Sequence, residues 1–215
     1  MRMAFGIVLG LLTWLACGTS TLAAPPPVLL VFGDSLSAGY GLRSGEAWPV
    51  LLQARLERLG HPQRVVNASV SGETTAGGVA RLPALLREHE PRVVVLELGA
   101  NDGLRGLPLA ALRANLRTLV AAIRHAGAAV VVLPMRLPPN YGPAYASGFA
   151  NAFSELPGQD AGVSLTPFFL QDVALNPALL QTDGLHPTAL AQPIILDAIW
   201  PGIAAVLEAL QQVTQ

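Results

Sequence analysis

Four short runs rich in valine and leucine recur along the chain, each bounded by turn residues and separated from the next by an amphipathic stretch. They are "VLLVFG" (28–33), "RVVNAS" (64–69), "RVVVLELG" (92–99) and "AAVVVLPM" (128–135). Continuous apolar runs of this length read as strands buried on both faces. Between them, "WPVLLQARLERLG", "VARLPALLREHE" and "LPLAALRANLRTLVAAIRHAG" place apolar residues three and four apart with arginines between, the pattern of surface helices. Gly60 and Gly127 fit as helix stops. "GVSLTP" (162–167) is a weaker fifth strand, and the tail "PIILDAIWPGIAAVLEAL" reads as a helix bent or broken at Pro201. Strand and helix alternating four or five times imply a parallel sheet covered on both faces, and 215 residues suffice for one such domain.

Apart from Arg2, no charged residue precedes Asp34. Met1 and Arg2, an apolar segment from about Ala4 to Ala16 and the small residues before "PPP" form the parts of a secretory signal. This divides the chain into a signal peptide, 1–23, and one domain, 24–215. Cleavage after Ala23 is favoured over Ala24, because Pro25 would then follow the cut directly. The apolar segment falls short of the roughly 20 residues a span needs, so no stable membrane anchor is expected. Cys17 lacks the leucine two residues before the small residue that a lipid-attachment site wants; Trp14 stands there instead. With the signal removed no cysteine remains, which excludes disulfides and thiolate chemistry.

All thirteen basic residues are arginine, so Schiff-base chemistry and a phosphate-loop lysine are excluded. Net charge is −1 without a basic run, which argues against nucleic acid. Charged residues make up only 13%, about half the usual share, which suits apolar ligands. Neither a metal-ligand spacing nor G-x-G-x-x-G after the first strand appears, and no cofactor is expected.

In parallel sheets ligands bind beyond the carboxyl ends of the strands. The first strand ends in "GDS", the second in "NASVSGET" and the third in "GAND", placing Ser35, Gly72 and Asn101 on one rim. "TDGLHP" adds Asp183 and His186. A serine hydroxyl is a poor nucleophile until a base takes its proton; imidazole suits that task, and a carboxylate holds its tautomer. Gly184 allows the tight turn that lets one loop supply both residues, and Pro187 biases His186 toward an extended backbone. The Ser35 N–H, the Gly72 N–H and the Asn101 amide could stabilise an oxyanion. Glycine at 72 suits close approach of that oxygen. Asp34 reads as fixing the turn, Asp102 as a support or cap, and Glu97 as a buried, paired group near the site. His61, His89 and His125 fall at helix or loop ends.

"FGDSLSAGYG", "VVNASVSGETT", "LELGANDGLRG", "RLPPNYG" and "DGLHPTALAQP" together resemble the blocks of the GDSL (SGNH) hydrolase superfamily. They are most similar to the bacterial periplasmic thioesterase I / lysophospholipase / protease I group and its arylesterase relatives. The resemblance runs in order over essentially the whole mature chain. It implies a single three-layer α/β domain with a flavodoxin-like, mostly parallel five-stranded sheet. It also implies a Ser35, Asp183, His186 triad and an oxyanion hole of Ser35, Gly72 and Asn101. The expected activity is cleavage of esters or thioesters through an acyl-enzyme, acting on a small acyl substrate as an exported monomer. An acyltransferase using the same intermediate is the alternative within enzymes, and a noncatalytic envelope binding protein the alternative outside them. "RLPPNYG" and the loop 71–83 should border the acyl groove, with Leu104, Leu137, Pro138 and Tyr141 lining it. Gly77 and Gly78 fall in what is a mobile substrate-side loop in relatives.

Overall fold

The computed structural model describes residues 25–156 and 163–213; the expected signal and Cys17 lie outside them. Five parallel strands, β1 (Val28–Gly33), β2 (Arg64–Asn67), β3 (Val93–Glu97), β4 (Ala129–Val132) and β5 (Val163–Leu165), form one sheet in the order β2-β1-β3-β4-β5. β1 and β3 are buried throughout, as their unbroken apolar runs require, whereas the edge strand β2 is half exposed. β1 has the bounds of its apolar run, whereas the other four strands are one to three residues shorter at one or both ends than the runs suggest.

Helices α1 (Ser35–Ala38), α2 (Trp48–Arg58), α3 (Thr75–His89), α4 (Ala100–Leu104), α5 (Leu109–His125), α6 (Pro143–Ser154) and α7 (Gln192–Val213) connect and cover these strands. α2 packs on α7, while α3 packs on α5 and α5 on α6, so two helical layers enclose the sheet. Gly60 and Gly127 do end α2 and α5. In both, the glycine N–H and the one after it bond back to carbonyls of the last turn: Gly60 to Glu57, His61 to Leu56, Gly127 to Arg124 and Ala128 to Ile123.

Besides the short helices α1 and α4, which have no counterpart in the sequence reading, three elements differ from it. α7 runs unbroken through Pro201. Pro201 is exposed, so the carbonyl it leaves unpaired can reach water, while buried Ile195, Ile199, Ile203 and Leu207 hold the opposite side of the helix. α7 is apolar and long enough to cross a membrane by length and composition, but its buried stripe packs on α2, β4 and β5. α3 begins four residues before "VARLP": Thr74 caps it by accepting from the Gly77 N–H, so Gly77 and Gly78 lie in its first turn rather than in a loop. α6 has no counterpart in the sequence reading.

Candidate active site

The order β2-β1-β3 reverses the chain's direction across the sheet between β1 and β3, where such folds open a crevice at the carboxyl rim. Register pairs Gly33 with Glu97, so the segments after β1 and β3 leave the sheet side by side. Ser35 is the first residue of the one-turn helix α1, capped by Asp34, whose Oδ1 accepts from the Leu36 N–H at 3.0 Å. The first N–H groups of a helix have no intrahelical acceptor, which leaves the Ser35 N–H for a ligand.

The loop 180–187 closes on itself and delivers the base. The Gln181 N–H donates to the His186 carbonyl at 2.7 Å, the Gly184 N–H to the Gln181 carbonyl at 2.9 Å, and Gly184 takes the left-handed φ of +67° that the turn needs. The Gln181 side-chain amide donates to the Tyr40 carbonyl at 2.8 Å, tying this loop to the serine turn. His186 Nδ1 donates to Asp183 Oδ2 at 2.7 Å, and Ser35 Oγ donates to His186 Nε2 at 2.8 Å. The carboxylate sets the tautomer that leaves Nε2 free to accept. Asp183 Oδ1 also accepts from the backbone N–H groups of Leu185 (2.9 Å) and His186 (3.0 Å). The His186 backbone bond, then its side-chain bond, hold the Asp183 carboxyl down at about 2.

Asn101 lies in α4, and its side-chain amide donates to Asp34 Oδ2 at 3.0 Å. Gly72 takes a φ of +79°, and its carbonyl accepts from Arg105 Nη2 at 3.0 Å. A Cβ at 72 would meet nothing closer than 3.7 Å, so backbone conformation rather than crowding by neighbouring protein atoms calls for glycine. Buried Asp102 accepts from the Thr75 N–H at 2.8 Å and the Thr75 hydroxyl at 2.5 Å, joining α4 to the start of α3. Glu97, fully buried, accepts from Ser37 Oγ at 2.6 Å.

Ser35, Gly72, Asn101 and His186 lie along a largely apolar cleft of about 660 Å³. Leu104, Leu137 and Pro138 line it as expected. Tyr141 does not: its hydroxyl donates to the Leu104 carbonyl at 2.9 Å, bracing the wall from outside. From the segment 71–83 only Ser71 and Gly72 reach the cleft, because Thr75 onward has turned into α3. The other wall comes from residues after β4 and β5 that the sequence reading left out, among them Met135, Phe168, Leu170 and Leu175. The rim rule, applied to the apolar "PFFLQDV" after the fifth strand as well as to polar clusters, would have found Phe168 and Leu170.

Residues 31–192 match the GDSL-like Lipase/Acylhydrolase family. The chain is 47% identical over 187 residues to Esterase TesA of Pseudomonas aeruginosa, covering 87% of this chain and 92% of the relative. It is 44% identical over 175 residues to Thioesterase 1/protease 1/lysophospholipase L1 of Escherichia coli K12, covering 81% and 82%. A crystal structure of the psychrotrophic esterase EstA from Pseudoalteromonas sp., inhibited by monoethylphosphonate, superposes with a TM-score of 0.80 at 41% identity, covering 84% of this chain and 98% of that one.

Proposed function

Since the chain belongs to the GDSL-like lipase/acylhydrolase family, we propose that it cleaves carboxylic esters or acyl thioesters through an acyl-enzyme on Ser35. The observation that carries this reading is the unbroken hydrogen-bonded chain Asp183–His186–Ser35 opening into an apolar cleft. His186 Nε2 takes the Ser35 proton as Oγ attacks the acyl carbon, and Asp183 stabilises the imidazolium that forms. The Ser35 N–H, the Gly72 N–H and the Asn101 amide receive the negative oxygen of the tetrahedral intermediate. His186 then returns the proton to the leaving alcohol or thiol. Water, deprotonated by the same imidazole, releases the acid and restores Ser35.

The cleft selects for an acyl chain by area: each buried methylene contributes about 0.8 kcal/mol. Tyr40, Leu175 and Leu185 extend the apolar surface outward at its mouth. Inhibition of the EstA esterase by a phosphonate supports a nucleophilic serine in the fold, because such inhibitors trap an activated hydroxyl. Ser35→Ala should abolish both turnover of an activated ester and covalent labelling by a fluorophosphonate, with the fold intact by circular dichroism. Labelling that persists in this variant at another serine would overturn the assignment.

The amino-terminal pattern supports export to the periplasm or medium without a lipid. The intact mass of the chain recovered from cells should correspond to a start at Ala24 or Pro25. A diacylglyceryl mass on Cys17 would place the enzyme on a membrane instead.

A further inference from the structure

Beneath Ser35 lies an acidic pair that the proposed chemistry does not use. Glu97 ends β3, and its pairing with Gly33 sets it under the turn that presents the serine. Glu97 Oε2 accepts from Ser37 Oγ at 2.6 Å and from the Asp34 N–H at 3.2 Å. The fit is close: a Cβ at position 33 would come within 2.5 Å of Glu97 Oε2 and 2.9 Å of Ser37 Oγ. Asp34, also fully buried, accepts from the Leu36 N–H through Oδ1 and from the Asn101 amide through Oδ2. The Asp34 backbone N–H and the Glu97 carboxyl are thus in direct contact, and both acidic side chains are shut off from solvent. Two carboxylates set so close and away from water would each lose hydration and repel the other. One must carry a proton. Glu97 Oε1 is buried without a hydrogen-bond partner among the described residues, a position that a neutral carboxyl tolerates far better than a charged one.

We propose that Glu97 and Asp34 share one proton and act together as positioning residues for the oxyanion hole, protonated Glu97 fixing Asp34 and Asp34 fixing the Asn101 amide. Burial opposes charge on both groups and the negative neighbour opposes it further on Glu97, so the proton resides on Glu97 at neutral pH and Asp34 is the anion. That arrangement has three effects. The Asp34 carboxylate engages one N–H of the Asn101 amide and leaves the other for the cleft. Its single charge also attracts the His186 imidazolium formed during acylation. The proton on Glu97 keeps a second negative charge from opposing the oxyanion.

This inference rests on reading Asn101 as an oxyanion donor, so its test must separate the two. Steady-state kinetics on one activated ester would compare Asn101→Ala, Asp34→Ala and the double variant. Asn101→Ala should lower kcat about 10²-fold with KM little changed. Asp34→Ala should do the same, and the double variant should be no slower than the slower single one, because Asp34 acts through Asn101. Glu97→Gln should recover most of the kcat that Glu97→Leu loses, since the oxygen of a neutral amide can still accept from the Asp34 N–H and from Ser37. Infrared spectra of the wild type at neutral pH should show the carbonyl band of a neutral buried acid, lost in Glu97→Gln. Losses that multiply in the double variant, a Gln variant as impaired as Leu, or a wild type without the acid band would each overturn the inference. If Asn101→Ala leaves kcat intact, the oxyanion reading itself fails.

Discussion

Asp34 and Asp183 are chemically the same side chain in opposite surroundings, and the difference assigns their work. The Asp183 carboxyl is 40% exposed, yet two backbone N–H groups and the His186 ring keep it ionised down to about 2. It therefore remains an anion throughout the range in which an imidazole base operates. The ring itself is only 15% exposed and rests against Tyr40, with centroids 4.5 Å apart, so its orientation is held from two sides. Asp183→Asn removes the charge and offers an amide that can donate to Nδ1, favouring the tautomer with its proton on Nε2, where the serine must be accepted. kcat/KM should fall about 10²- to 10⁴-fold at every pH tested, with the thermal midpoint little changed. A loss confined to acidic pH would mean that Asp183 only tunes the base rather than orienting it.

At the scale of elements, what could be read from the chain was whatever repeats with a period or sits at a strand end. β1, β3 and β4 announce themselves because burial on both faces needs unbroken apolar runs; Ser35, Gly72, Asn101, Asp183 and His186 stand out only as a set, since after a strand each alone reads as a cap or turn residue, as Asp34 and Asp102 in fact are. What could not be read depends on contacts distant in sequence. The glycine pair 77–78 argues against helix, at roughly 1 kcal/mol per residue relative to alanine. The Thr74 cap and the Asp102 carboxylate on Thr75 override that preference, and Asp102 lies 27 positions away. Gly78 further admits the Leu98 side chain, which a Cβ would approach to 2.6 Å. α6 escaped because only Phe149, Ala152 and Phe153 are buried on it, too few for a stripe. Pro201 shows the reverse error: a helix breaker is tolerated where its missing bond faces water. Tyr141 fails for a simpler reason, since neighbours in sequence such as Pro138 and Tyr141 can point to opposite sides of one wall.

Over the whole molecule, the buried acid pair should leave a signature in the dependence of stability on pH. A carboxyl whose folded value is lowered adds stability above its unfolded value, and that stability is lost as pH falls through the folded one; for Asp183 the window runs from 3.8 down to about 2. A carboxyl whose folded value is raised behaves oppositely. Asp34 is pushed by burial from 3.8 to about 6, so between those values the folded protein binds more protons than the unfolded chain, and stability falls as pH rises. A shift of about two units corresponds to roughly 3 kcal/mol, an upper figure for a pair that titrates jointly. Glu97, raised well above the usual range by burial and then by Asp34, continues the decline at higher pH. Urea unfolding should therefore show the wild type less stable at pH 7 than at pH 4, with Asp34 contributing up to about 3 kcal/mol of the difference and Glu97 adding to it. The variant carrying both Asp34→Asn and Glu97→Gln has neither titrating group and should lose most of that difference, even if its absolute stability changes. Should the double variant keep the wild-type slope, the decline belongs to other groups and the two carboxyls are not shifted in the folded protein. Should the slope vanish, the parallel sheet carries an acid pair that costs stability at neutral pH and is retained beside the nucleophile, a place where a cost of that kind is expected when it orders a reactive site.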